Sequence, residues 1–326
     1  MTRMTYANSA IIAVTLLVSV EAVAQQSGPK ASAQTLSLTV LSTMLTDPRG
    51  IGEWGFAAVV EVDGRRWLFD TGARPETVLR NAEELRVDLA AITDVILSHH
   101  HADHTGGLVT MRKALAAKNP AALSRVHVAA GMFKSRRASG EAEANPMVAA
   151  KVAYEATGGR FIEHDGPVEL QPGVWLTGPV PRTFPERNWS GSLKVAGADG
   201  FVEDTLPEDQ ALLVRTGRGL SVVTGCGHAG IGNILSYART LQTDVAVRAV
   251  IGGLHLLAAD ESHLAWTAER MRAAGVTHLL GAHCTGLEAL YRLRALVGLS
   301  RAAAVVGAVG SGYDDAVGIT PGLIAR

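Results

Sequence analysis

The run Ser98-His99-His100-His101-Ala102-Asp103-His104-Thr105-Gly106-Gly107 constrains this chain more than any other stretch of it. His99, His101, Asp103 and His104 fall in the spacing H-x-H-x-D-H, and each is a ligand for a borderline divalent metal. Imidazole suits zinc, iron and copper, and a carboxylate adds a hard oxygen while neutralising charge. Histidines at i and i+2 leaving a strand point to the same side. The turn that follows can bring Asp103 and His104 round to a neighbouring position, so one metal can sit on the first pair and a second on the last.

This stretch resembles the signature of the metallo-β-lactamase superfamily. The resemblance implies an α/β fold, the four-layer αβ/βα sandwich of two sheets between helices. Asp70-Thr71-Gly72, at the end of a hairpin of Phe56–Asp63 and Arg65–Asp70 turning at Asp63-Gly64, is similar to the superfamily's first motif. There the Asp holds the metal loop or a ligand histidine in place, as a carboxylate behind an imidazole does. The chain departs from the pattern at Gly178-Pro179-Val180-Pro181-Arg182, where most hydrolytic members carry a metal-binding histidine. A third ligand for the first metal has to come from elsewhere.

The rest of the chain alternates strand and helix patterns, as layered α/β proteins do. Strands are expected at Leu36–Leu45, Ile92–Leu97, Val126–Ala130, Gln210–Arg215, Leu220–Thr224, Ala246–Ile251, Thr277–Leu280 and, last, Ala302–Gly307, with a strand pair around Gln171-Pro172-Gly173. Helices are expected at Pro75–Leu89, Gly107–Ala117 and Met147–Ala156, after Gly230, from a cap at Asp260 to Gly275, and through Leu290, Leu293 and Val297. Residues 183–209 form a long connection, either a functional lid or a surface excursion. Arg182, Arg187 and Trp189 would suit an anionic or aromatic substrate. His127, His164, His263 and His278 read as structural histidines.

Three times in the second half a short strand runs into a glycine-flanked histidine: His228, His255 and His283. Side chains at strand ends converge on one edge of a layered α/β protein. The segments TGCGHAGIGNIL, IGGLHL and AHCTG resemble those of the dihydropterin-ribofuranosylaminobenzene phosphate synthase-like branch of metal-dependent hydrolases, over roughly Leu36 to Gly307. That branch also lacks the third-motif histidine. The resemblance implies that His99 and His101 hold the first metal and that Asp103, His104 and His283 hold the second. His228 is the candidate for the missing ligand, with His255 behind it. Cys226 stands where many relatives have a bridging Asp, and is either a bridging thiolate or a buried neighbour.

Composition narrows the partners. The chain has 326 residues, with 30 Lys and Arg against 31 Asp and Glu. Its near-zero net charge gives no general attraction to nucleic acid or anionic membrane. Arg3, the apolar run Ala10–Val20 and Ala22-Val23-Ala24 read as a secretory signal peptide over residues 1–24, too short for a stable membrane anchor. Residues 25–35 then form a flexible mature N-terminus, and 36–326 the catalytic domain. A periplasmic or secreted location follows, in which Cys226 and Cys284 could be paired, free or ligands. The function implied is that of an enzyme, a hydrolase of a small-molecule ester-type bond. It would use two Zn2+ ions, with Mn2+ or Fe2+ as substitutes, and Asp103 as the group that orients and deprotonates a metal-activated water. The alternatives are a mononuclear iron oxygenase of the same fold, a β-lactamase, or a metal-bearing binder. Oligomeric state is not legible in the sequence.

Overall fold

In the computed structural model the described residues are Met1, 31–138, 140, 142–189 and 191–325. The expected signal peptide, residues 1–24, lies outside them save for Met1. Of the segment 25–35, the described part is docked: Ala33 is buried, donates its N–H to the Arg215 carbonyl and bridges Thr216.

Alternation of side chains sets the architecture. In Ala57–Val62, Arg65–Phe69 and Asp94–Ile96 the residues Val60, Trp67, Phe69 and Ile96 enter one core, and Val59, Leu68 and Val95 enter another. In Leu212–Thr216, Gly219–Thr224, Val247–Gly252 and His278–Gly281 the same split holds. Leu212, Val214, Val223, Ile251 and Leu280 join the first core, while Leu213, Val222, Val250 and Leu279 join a third. A strand buried on both faces reads as this kind of continuous apolar run. The shared core lies between two sheets, and each sheet carries helices on its outer face.

The helices are α1 (Thr77–Glu84), α2 (Ala102–Thr105), α3 (Leu108–Ala116), α4 (Pro146–Glu155), α5 (Ile231–Leu241), α6 (Glu261–Ala274) and α7 (Leu287–Val297). Residues of α1, α3 and α4 pack against the first sheet, and residues of α5, α6 and α7 against the second. This is the expected four-layer sandwich. At both ends of α6 the expected caps are present. Asp260 accepts from the His263 N–H at 2.8 Å, and Gly275 closes the helix at φ 90°. α1 is shorter than its apolar spacing suggests. Arg86 turns left-handed at φ 57°, and bonds from Val87 to Ala82 and from Arg86 to Glu83 end the helix in a Schellman turn.

Two departures concern topology. Ala304–Val306 is not the last strand, because Gly312–Asp314 and Gly318–Thr320 return to the edge of the first sheet, where Tyr313 is buried. The 183–209 connection also contains a hairpin, Lys194–Gly197 with Gly200–Glu203, paired to Arg136–Arg137. Among the described residues no helix is long and apolar enough to cross a membrane.

Register explains where the functional loops emerge. In the first sheet Phe69, Ile96 and His127 are aligned across parallel strands, so Asp70 and Ser98-His99 leave from one edge. In the second, Thr224, Gly252, Gly281 and Val306 are aligned in the same way. Cys226, His228, His255 and His283 follow those strand ends.

Candidate metal centre

The edges of the two sheets meet at Gly225. A Cβ there would lie 2.0 Å from Ser98 Oγ and 2.6 Å from Asp70 Oδ2, so only glycine admits the loop of the second sheet against that of the first. The contact brings the histidines of both halves together. The ligand atoms of His99, His101 and His228 lie within 4.8 Å of one another, as do those of Asp103, His104 and His283. These are the two groupings expected from the sequence, with His228 beside His99 and His101. His99, His104 and Cys226 meet the same criterion, which places Cys226 where the two sets join.

The second nitrogen of three of these imidazoles is held by protein. His99 Nδ1 is 2.9 Å from Ser98 Oγ, which itself donates to Asp70 Oδ2 at 2.7 Å. His104 Nδ1 is 2.7 Å from Asp70 Oδ2, and Asp70 Oδ1 also accepts the Ser98 N–H at 2.7 Å. His228 Nδ1 bonds the Asn188 carbonyl. Partners of this kind fix tautomer and ring orientation in metal-binding histidines. Asp70 therefore does what the first-motif resemblance implies, and its φ of 55° aims it inward.

The nitrogens facing the centre are left over. His99 Nε2, His228 Nε2 and both ring nitrogens of His283 are buried without a hydrogen bond. His283 Nε2 does approach Asp103 Oδ2 at 3.3 Å, outside hydrogen-bond geometry. Buried orphan donors or acceptors cost roughly 1–3 kcal/mol each. Such orphans, gathered in two adjacent ligand sets, are the arrangement metal ions relieve.

Electrostatics agree with the ligand sets. Burial pushes the pKa of His99 and His228 well down and that of His101 to about 3, leaving neutral imidazoles with lone pairs to offer. Burial opposes a charge on His104, yet Asp70 and Asp103 beside it raise its pKa to about 9. Burial likewise opposes an ionised Asp103, and His104 and His283 keep its carboxyl low. A cation bound between Asp103, His104 and His283 would replace the His104 proton, the exchange expected when metal binds titratable ligands.

A model of the metallo-beta-lactamase superfamily matches residues 55–270. The chain belongs to this superfamily. It is 30% identical over 249 residues to the 7,8-dihydropterin-6-methyl-4-(beta-D-ribofuranosyl)-aminobenzene-5'-phosphate synthase of Methanocaldococcus jannaschii, covering 72% of this chain and 82% of the relative. The structure resembles that of Tm1679, a metal-dependent hydrolase of the beta-lactamase superfamily, with a TM-score of 0.68 and 27% identity. That match covers 85% of this chain and 98% of the other. YhfI from Bacillus subtilis shares the fold at a TM-score of 0.53 and 13% identity, over 86% of this chain and all of that one. The resemblance read from the motifs is borne out. The chain is an enzyme of a metal-dependent superfamily acting on small molecules.

The structure gives the other site residues specific surroundings. Arg182 donates to the carbonyls of His228, Thr205 and Leu206 and stacks 4.8 Å over Trp189. His255, at φ 50°, lies beside His228 with ring centroids 4.5 Å apart, and its ligand nitrogen falls in a set with Cys226 and His228, not with His99 and His101. The 183–209 connection is anchored at the centre. Glu186 accepts from the Gly232 and Asn233 N–H groups at the start of α5, and Asn188 holds His228. Sequence reasoning passed over His100, whose Nδ1 is 2.6 Å from the buried Glu208, itself paired with the buried Arg136 at 2.6 Å. The triple histidine was a visible signal for it; nothing in the order of residues tied Glu208 to it, 108 positions away.

Proposed function

We propose that this protein is a metallohydrolase that cleaves an ester-type bond (carboxylic ester, lactone, thioester or phosphodiester) with two zinc ions, in the periplasm or outside the cell. The observation that carries the reading is that buried nitrogens of His99 and His228 without hydrogen bonds fall in one ligand set and those of His283 in a neighbouring set with Asp103 and His104. When bound, a metal pair supplies a nucleophilic water near neutral pH and polarises the oxygen of the bond to be cut. The chain's own residues divide the remaining work.

His99, His101 and His228 would hold one ion and Asp103, His104 and His283 the other, with Asp70, Ser98 and Asn188 orienting His99, His104 and His228. The Asp103 side chain is 22% exposed where His99, His104 and His283 are buried, so it reaches both the cluster and solvent. Its Oδ2 faces His283, which leaves Oδ1 to orient the attacking water and accept its proton. Trp54, half exposed and 5.0 Å from the His283 ring, offers an apolar wall at the mouth. No serine nucleophile is needed. The synthase name of the relative belongs to that protein, and the bond cleaved here is tested directly.

Metal content of the mature protein beside His228→Ala tests the reading, together with turnover of nitrophenyl carboxylic and phosphodiesters. About two equivalents of zinc falling to about one in the variant, with hydrolysis lost, is the expected outcome for an open catalytic site that loses a ligand. One equivalent of iron untouched by the substitution, with oxygen consumption, would overturn it in favour of an oxygenase. Export is tested by the N-terminus of periplasmic protein, which should begin at Gln25; an intact Met1 in a cytoplasmic fraction would exclude it.

A further inference from the structure

The two cysteines of the chain are 58 positions apart and meet at the floor of the metal centre. Cys226 Sγ and Cys284 Sγ are 3.1 Å from each other, and both residues are buried. The fold makes room for this approach. Gly225 and Gly227 flank Cys226, and Gly253 lies over the second sulfur, where a Cβ would stand 2.8 Å from Cys284 Sγ. Cys284 Sγ also accepts the His255 N–H at 3.2 Å. On its other side, Cys226 Sγ is 3.2 Å from Nε2 of His104, a residue of the second ligand set.

We propose that Cys226 and Cys284 are a reversible redox couple, in which a disulfide between them and a metal at His104 exclude each other. A disulfide brings the sulfurs to about 2.05 Å, so they must close by about 1 Å. Movement of Cys226 towards Cys284 draws its sulfur away from His104 and out of the set it forms with His99 and His104. A metal held by His99, His104 and Cys226 would have the opposite effect and deny that sulfur to Cys284. The inference rests on the reading of this centre as a metal site, and it adds a control to that site.

The oxidant is hydrogen peroxide or another small hydroperoxide. One cysteine thiolate attacks a peroxide oxygen, the O–O bond breaks, and hydroxide leaves, giving a sulfenic acid. The other thiol then attacks that sulfur, and its proton and the sulfenic hydroxyl leave as water. Two thiols and one peroxide give one disulfide and two waters, the sulfurs losing two electrons and the peroxide gaining them.

The test exposes the full mature chain to hydrogen peroxide after chelation and, in parallel, after loading with zinc. Thiols are then counted in denaturant and intact mass is recorded. The chelated protein should lose both thiols with the mass of two hydrogens, yield a peptide joining Cys226 to Cys284, and recover both thiols with a phosphine reductant. The zinc-loaded protein should oxidise at least tenfold more slowly. Cys284→Ser, which keeps a small polar side chain at that position, should instead gain oxygen on Cys226 without recovering. Retention of both thiols in the chelated protein, gain of oxygen without the cross-link, or equal rates with and without zinc would each overturn the proposal. Zinc uptake by the reduced protein is measured first. A chain that takes up no zinc refutes the metal reading on its own, while the thiol count still reports on the couple.

Discussion

One strand of the first sheet, Asp94–Ile96, carries a histidine and carboxylate cluster at each end, and the two clusters have opposite characters. At its start Asp94 is surrounded by partners. Oδ1 accepts from Arg125 Nε at 2.7 Å and lies 3.2 Å from His127 Nε2. Oδ2 takes Arg125 Nη2 and Thr93 Oγ1, each at 2.6 Å, and Arg65 Nη2 at 3.3 Å. His127 completes the set with its Nδ1 3.0 Å from His164 Nε2. Burial opposes the Asp94 charge, but the hydrogen bonds from His127, Arg125 and Thr93 hold its carboxyl far below the usual range. At the other end, beyond Ile96, buried histidines keep nitrogens with no partner at all. Composition alone does not separate the two clusters. Satisfaction does: a closed cluster holds the fold, and an open one is built for something that arrives later.

The largest effect should come from opening the closed cluster. Asp94→Ala leaves Arg125 and His127 without their shared carboxylate, and breaking a buried pair in this way costs about 3 kcal/mol. Urea denaturation should show that loss, while zinc stoichiometry in the folded variant stays at the wild-type value. A stable variant that has lost metal would erase the distinction between the two ends.

The site was legible where spacing encodes it. H-x-H-x-D-H and the three glycine-flanked strand ends specify ligand type and edge, and the alternating runs specify two sheets. What the sequence could not supply is long-range. Ser98 is adjacent to His99, but its role depends on Asp70, and Asn188 reaches His228 across 40 positions from inside an irregular loop. Arg182 reads in the sequence as suited to an anionic substrate, and the three carbonyls placed around it are not visible there. The returning strands Gly312–Asp314 and Gly318–Thr320 are too short and glycine-rich for period-two alternation to show.

Next in size is an open group on the metal side. Asp209 is buried and accepts the Ala229 N–H at 2.8 Å through Oδ2, while Oδ1 has no partner. Burial raises its pKa from 3.8 to about 7, so the folded chain keeps a proton that the unfolded chain has released. The stability this gives is complete below about pH 3.8 and is lost as pH rises through about 7. In metal-free protein, Asp209→Asn should flatten that pH dependence and be the more stable form at pH 8, by on the order of 2 kcal/mol. Equal slopes for the two proteins between pH 4 and pH 8 would show that Asp209 is ionised throughout.

Asp70 joins the two regions in principle, as a fully partnered carboxylate that serves the open end. Asp70→Asn keeps its shape but replaces one acceptor oxygen with an NH2 group, which cannot accept from both Ser98 and His104. Zinc affinity by chelator competition should fall about 10–100-fold, with both ions still bound at saturation. An unchanged affinity would mean that the histidines are oriented by packing alone.

The smallest effect tests whether an open nitrogen is enough. His164→Ala removes the partner of His127 Nδ1 and so gives the closed cluster one unpaired ring nitrogen. The stability cost should be about 1 kcal/mol, that of a single hydrogen bond at a half-buried position. Zinc stoichiometry should not rise, because Asp94 remains committed to Arg125 and no third donor converges on His127. If the variant did take up an additional ion, convergence of several orphaned donors would no longer be the property that sets the metal centre apart.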